Sequence, residues 1–160
     1  MAISFKSVGD KTSLRKFSKT ADSKPVGIIT PLRLGTGRSG IFEMNFNIID
    51  QLHDNLRNLV LTNQGDRLVS YDFGANLIEL CTELTAKEDF DNEAIMRIND
   101  NVKRFLPFIE LETFESEFGT TIDKIGVEPG LAKVTIRIVY NIPRLRVTKK
   151  ALAVVLYVMG

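Results

Sequence analysis

Apolar side chains recur at Ile48, Ile49, Leu52, Leu56, Leu59 and Val60, a helical period that predicts a helix over residues 47–61. Asn45 or Asn47 can cap its start, and the cluster Thr62-Asn63-Gln64-Gly65 ends it. A shorter helix is expected over residues 75–84, entered through Asp72-Phe73-Gly74. A third opens at Asp91, a capping residue, with Glu93 in its first turn; its stripe Ile95, Ile98, Val102 and Phe105 stops at Pro107. Beyond Pro107 the period drops to two. Ile109, Leu111 and Thr113 alternate with Glu110 and Glu112, then a turn region runs from Gly119 to Glu128-Pro129-Gly130. Val134, Ile136, Ile138, Tyr140 and Ile142 follow, opposed by Lys133, Thr135, Arg137 and Asn141. Pro143 interrupts, and Ala151–Met159 reads as a last strand, apolar on both faces. Upstream, Val26–Thr30 reads as a short strand closed by Pro31. The expected class is α+β: three helices followed by a small, mainly antiparallel sheet, preceded by a basic N-terminal extension.

Charge sharpens the boundary of that extension. Residues 1–45 hold eight basic side chains (Lys6, Lys11, Arg15, Lys16, Lys19, Lys24, Arg33, Arg38) against Asp10, Asp22 and Glu43. That is +5 in a chain of net charge +1, so residues 46–160, the expected α+β domain, carry −4. A basic arm suits nucleic acid or an acidic protein partner, with a plain solvated tail as the default reading. Its only aromatics before Lys24 are Phe5 and Phe17, so nucleic acid is not the expected partner. With 44% hydrophobic and 26% charged residues the chain has the composition of a folded soluble protein rather than a disordered one. The longest apolar run, Ala151–Met159, is far short of a membrane span, and the N-terminus lacks the apolar core of a secretory signal. The expectation is a soluble, cytoplasmic chain with no membrane partner.

Candidate chemistry is sparse. One cysteine, Cys81, excludes an internal disulfide, and one histidine, His53, leaves a His-based metal site or a serine-type triad hard to assemble. Gly35-x-Gly37-x-x-Gly40 fits the dinucleotide fingerprint, but the next helix begins too late to receive a pyrophosphate. A flexible or partner-binding loop is the better reading. Glu79 and Glu83 lie four apart on one helix face and point into solvent together, whereas a glycosidase needs its carboxylates to face each other across a sugar. Glu110, Glu112, Glu115 and Glu117 show no metal-ligand clustering; Cys81 and His53 read as structural. No catalytic residue, metal or cofactor is expected.

The turn after the first helix carries more information. Gly65 can take a positive φ, and Arg67 presents a planar fork able to tie the turn through Asp66, Asp72 or backbone carbonyls. Gly74 permits a tight helix entry beside Phe73, an expected core anchor. The segments Asn58-Leu59-Val60-Leu61-Thr62-Asn63-Gln64-Gly65-Asp66-Arg67 and Tyr71-Asp72-Phe73-Gly74-Ala75-Asn76-Leu77 resemble the signature of the phage baseplate wedge proteins that initiate the contractile tail sheath. That family is related to a component of type VI secretion baseplates. There, a helix ends in Leu-Thr-x-x-Gly-Glu-Arg and a Phe-Gly-x-x-Leu turn opens the next; Asp66 stands here in place of Glu. The family's later order, helix to proline, strand, turn, and a strand ending Ile-x-Tyr, is met by Ile95–Leu106, Pro107, Ile109–Glu117 and Val134–Tyr140.

The resemblance implies a structural protein of the virion tail baseplate, assembled in the host cytoplasm, with Thr62, Gly65, Asp66, Arg67, Phe73 and Gly74 as its structural motif. It implies other wedge proteins and the tail sheath protein as partners, with a tube or hub protein within reach of the basic arm. Family members carry Glu-Pro-Arg where the third helix docks on the wedge's helical core. This chain has Leu106-Pro107-Phe108, so docking there is expected to be apolar. The family's sheet exchanges strands with sheath subunits, which points to Val154 and Leu156 of the last strand as partner-binding. The alternative is a peptidoglycan hydrolase, because relatives have carried a lysozyme label.

Overall fold

The computed structural model describes residues 24–35, 40–83, 87–120 and 131–159. The basic residues before Lys24, Gly37 of the glycine-rich loop and the Glu128-Pro129-Gly130 turn lie outside the described residues. The chain divides into two units, Met1–Gln51 and Leu52–Gly160.

In the first unit, β1 (Gly27–Ile28) pairs antiparallel with β2 (Met44–Asn45). The ribbon continues through Glu43 N–H to the Arg33 carbonyl at 3.0 Å and Gly35 N–H to the Ile41 carbonyl at 3.0 Å. Gly35 and Gly40 thus lie beside Leu34 and Phe42, which face each other across an antiparallel bridge. Among the described residues, the first helix after Gly40 begins at Ile48. Helix α1 (Ile48–Leu61) is capped by Asn47, whose Oδ1 accepts the Ile49 N–H at 3.0 Å.

The second unit is three helices against one face of a three-stranded sheet. α1 is followed by α2 (Leu77–Glu83) and α3 (Lys87–Phe105). The sheet is β3 (Glu110–Thr120), β4 (Leu131–Ile142) and β5 (Val147–Met159), antiparallel in the order β3-β4-β5. On β4, Val134, Ile136, Ile138 and Tyr140 are buried as their alternation predicts. Their partners across β5 are Leu156, Val154, Leu152 and Lys150. Leu52, Leu56, Leu59 and Val60 of α1, Leu77 and Leu80 of α2, and Phe90, Ala94, Ile98 and Val102 of α3 complete the core. Each large side chain so buried stabilises the fold by about 1.5–3 kcal/mol relative to exposure. The buried Tyr140 hydroxyl and His53 Nδ1 are hydrogen-bonded at 2.8 Å, tying α1 to β4.

Three expectations about packing change. α3 begins at Lys87, not Asp91: Glu88 and Asp89 occupy its first turn, where carboxylates complement the helix dipole, and Asp91 instead accepts the Ser116 hydroxyl of β3. Its inward row is Phe90, Ala94, Ile98 and Val102, one residue every fourth position, which turns Ile95 to the surface. On β3 a bulge falls between Leu111 and Thr113, so Leu111 opposes Tyr140 while Phe114 opposes Ile138. The extra residue reverses the alternation, and Thr113 is exposed rather than inward.

Candidate protein interface

The turn joining α1 to α2 is braced from both ends. Thr62 Oγ1 donates to the Asn58 carbonyl at 2.5 Å, and the Thr62 carbonyl receives the Asn76 N–H at 3.4 Å. Gly74 packs directly on Thr62: a Cβ there would stand 2.8 Å from the Thr62 carbonyl carbon, and φ is 113°. Glycine is therefore required on two counts. Gly65, at φ 91°, donates its N–H to the Tyr71 carbonyl at 2.8 Å, and Asp66 accepts the Asn63 N–H at 3.0 Å. Arg67 does not pair with Asp66 or Asp72. Its guanidinium lies 3.5 Å from the centroid of the Phe73 ring. Asp72 pairs instead with Arg104 of α3. Phe73 is half-buried, not the buried anchor expected, packed edge-on against Phe105 with centroids 5.0 Å apart. It is the middle of a surface stack whose other members are Arg67 and Phe105.

This bracing presents an apolar tip that the sequence reading missed. Leu68 and Val69 are 86% and 94% exposed, with Tyr71 beside them. The available signal was an adjacent apolar pair inside a stretch of turn-forming residues. Entry into α2 is held by α3: Arg97 Nη1 donates to the Asn76 carbonyl at 3.3 Å, and its Nε reaches Glu93 at 2.8 Å.

The structure separates Leu106, Pro107 and Phe108. Leu106 is buried, its N–H bonded to the Val102 carbonyl at 2.8 Å, so it is core and not a partner contact. Pro107 is exposed and Phe108 half-buried, because Ile109 N–H returns to the Leu106 carbonyl at 3.0 Å and folds the segment into a tight turn.

Val154 and Leu156 are likewise buried, facing the helices, so their side chains are not available to a partner. The register exposes their neighbours: Val155 is 39% and Tyr157 57% accessible on the outer face, beside Ala151 and Ala153. β5 begins at Val147, four residues before the expected start, and ends the sheet; among the described residues no strand pairs with its outer edge. What β5 offers a partner is therefore its backbone edge and its outward side chains.

Groups with catalytic potential are engaged in structure or dispersed. Glu79 accepts the Asn76 side-chain amide, and Glu83 is exposed. A cavity of about 420 Å³ between α2 and α3 is lined by Glu83, Asp89 and Glu93, the last tied to Arg97. Burial pushes the Cys81 thiol up to about 11, away from the reactive thiolate. Among the described residues, no cluster of three His, Cys, Asp or Glu side chains is placed to hold a metal ion, and no helix is long and apolar enough to cross a membrane.

No protein-family model matches the chain, and no curated protein matches it in sequence. Its fold is nevertheless shared. A crystal structure of a candidate tail lysozyme from Geobacter sulfurreducens aligns with a TM-score of 0.52 at 16% identity, covering 71% of this chain and 94% of that one. A chain in the six-fold symmetrised cryo-EM baseplate of the anti-feeding prophage aligns with a TM-score of 0.50 at 12% identity, covering 82% of each.

Proposed function

We propose that this chain is a structural subunit of a contractile-tail baseplate, where β5 accepts a strand from the first sheath subunit and so starts the sheath. The observation that carries the reading is the outer edge of β5, which no described strand pairs, combined with the outward Val155 and Tyr157. Such an edge binds an extended segment through main-chain hydrogen bonds, with side-chain contacts selecting the partner. The anti-feeding prophage baseplate, which holds a chain of the same fold, is the context that suits it. Other baseplate proteins would meet the exposed Leu68-Val69 tip and the exposed Pro107.

The test leaves the core alone. Val155→Lys with Tyr157→Lys places two charges on the outer face of the edge strand, the device by which natural edges refuse pairing. The variant should keep wild-type circular dichroism and assemble into baseplates that electron microscopy shows without sheath. Full sheaths on those baseplates would refute the strand-addition role. The alternative, a peptidoglycan hydrolase working from the Glu83, Asp89 and Glu93 cavity, predicts clearing of cell-wall suspensions that Glu83→Gln abolishes. The structural reading predicts no clearing.

A further inference from the structure

The end of β5 that follows the β4–β5 connection is strongly basic. Arg144, Arg146 and Lys149 are exposed, Lys150 is adjacent, and no acidic residue occurs between Ile142 and the last residue of the sequence. The backbone holds these cations in fixed places. Pro143–Leu145 forms a single 3-10 turn closed by the Arg146 N–H on the Pro143 carbonyl at 3.0 Å. Tyr140 pairs with Lys150 and Ile142 with Val147, so β5 carries an extra residue there. That bulge places Lys149 at φ 55°, its N–H bonded to the Asn141 side chain at 2.7 Å. The far end of the same strand is uncharged, with Ala151, Ala153, Val155 and Tyr157 outward. A 13-residue strand is roughly 40 Å long, so cations and apolar side chains lie at opposite ends of one edge.

Resting on the strand-addition reading above, we propose that the strand received by β5 is acidic at the end beside Arg144, Arg146 and Lys149 and apolar at the other. Covering the edge withdraws water from one side of the basic turn, and a carboxylate arriving with the strand compensates that loss while a lysine or arginine is repelled. The chain's own β3 is acidic, but its bulge at Glu112 interrupts the edge a second copy would present. Head-to-tail pairing of copies would also propagate without closing. The occupant is therefore a strand of a different protein.

The test uses the full chain and labelled 13-residue peptides matched to the length of β5. All share an alternating Val/Thr body. They end in three Glu at the N-terminal end, three Glu at the C-terminal end, three Gln, or three Lys. Exposed ion pairs contribute a few tenths to about 1 kcal/mol each, so one Glu-ended peptide should bind about tenfold tighter than the Gln-ended one, measured by anisotropy. That advantage should vanish in about 1 M salt, where screening falls to about 3 Å. It should also vanish in Arg144→Gln/Arg146→Gln/Lys149→Gln, whose urea midpoint and affinity for the Gln-ended peptide should match wild type. Equal binding of Glu, Gln and Lys peptides would overturn the charge assignment while leaving strand addition standing. Binding of none would remove the strand-addition reading itself. Two further results would reassign the basic turn: duplex DNA binding lost in the triple variant while the peptides are not distinguished, or self-association of the full chain lost in that variant.

Discussion

The sheet has two edges, and they are chemically opposite. β3 carries Glu110, Glu112, Glu115 and Glu117, is bent by a bulge at Glu112, and is tied to α3 through Ser116 and Asp91. β5 runs without a charge from Ala151 to Met159 and has no bulge in that stretch. A charged, bulged strand discourages pairing, and an uncharged regular one invites it. On the strand-addition proposal above, such a sheet would extend from β5 alone, which would suit a nucleating subunit, because growth from both edges would yield filaments of itself.

The comparison breaks first if β5 is not half core. Its inner face is buried, Leu156 at 2%, while Val155 next to it is 39% exposed. Leu156→Ala is expected to cost about 2–5 kcal/mol and Val155→Ala less than about 0.5 kcal/mol in urea unfolding. Similar losses at both positions would mean that the strand is covered on both faces. Deleting residues 151–160 is a poor test of strand exchange, since it removes Leu152, Val154 and Leu156 from the core.

The second test moves to the turn. Phe73 is half-buried between Arg67 and Phe105, so Phe73→Ala should cost about 2 kcal/mol, roughly half of what a core aromatic loses. A loss as large as that of Leu156→Ala would make the turn part of the core.

These two positions also mark how much the sequence reveals. The alternation on β4 was legible because Val134 to Ile142 lies in the central strand, where one face must be buried and no irregularity intervenes before Tyr140. On β3 the alternation at Ile109, Leu111 and Thr113 continued through Glu112, and nothing local marked that residue as extra. Phe90 was missed because Asp91 resembles a cap, when the helix had already begun with Glu88 and Asp89. In the turn, both glycines were legible from backbone requirements. The partner of Arg67 was not, because Asp72 is claimed by Arg104 some thirty positions away, and only tertiary structure decides between a carboxylate and a ring. Val154 and Leu156 are expected to bind a partner, and their inward facing is not legible because an apolar run offers no alternation from which to choose a face.

The third test concerns the strand between the edges. Tyr140→Phe keeps the buried ring and removes the bond to His53, an expected loss of about 0.5–1.5 kcal/mol. No change on unfolding would show that α1 is held to the sheet by packing alone. A smaller effect is expected from disarming β3. Glu115→Val with Glu117→Val replaces two outward carboxylates by strand-forming side chains, each cross-strand position changing by about 0.2–1 kcal/mol. Sedimentation should then show association at concentrations where the wild type is monodisperse. If the double variant behaves as wild type, the carboxylates are not what guards that edge.

The smallest effect at neutral pH belongs to Cys81, on the helix that packs against β5. Burial raises its thiol from 9.0 to about 11, because the thiolate loses water that the neutral thiol needs less. The folded state therefore holds this proton more tightly than the unfolded chain. Its contribution to stability is fully present below about pH 9 and is lost as pH rises through about 11. Cys81→Ser should accordingly show the same pH dependence of stability as wild type below pH 9, and a flatter one above it. The rate of iodoacetamide alkylation supplies an independent reading, since only the thiolate reacts. Its midpoint should lie near pH 11 in the folded protein and near 9 in urea. A folded-state midpoint near 9 would mean that water reaches the Cys81 thiol in the folded protein as freely as in the unfolded chain.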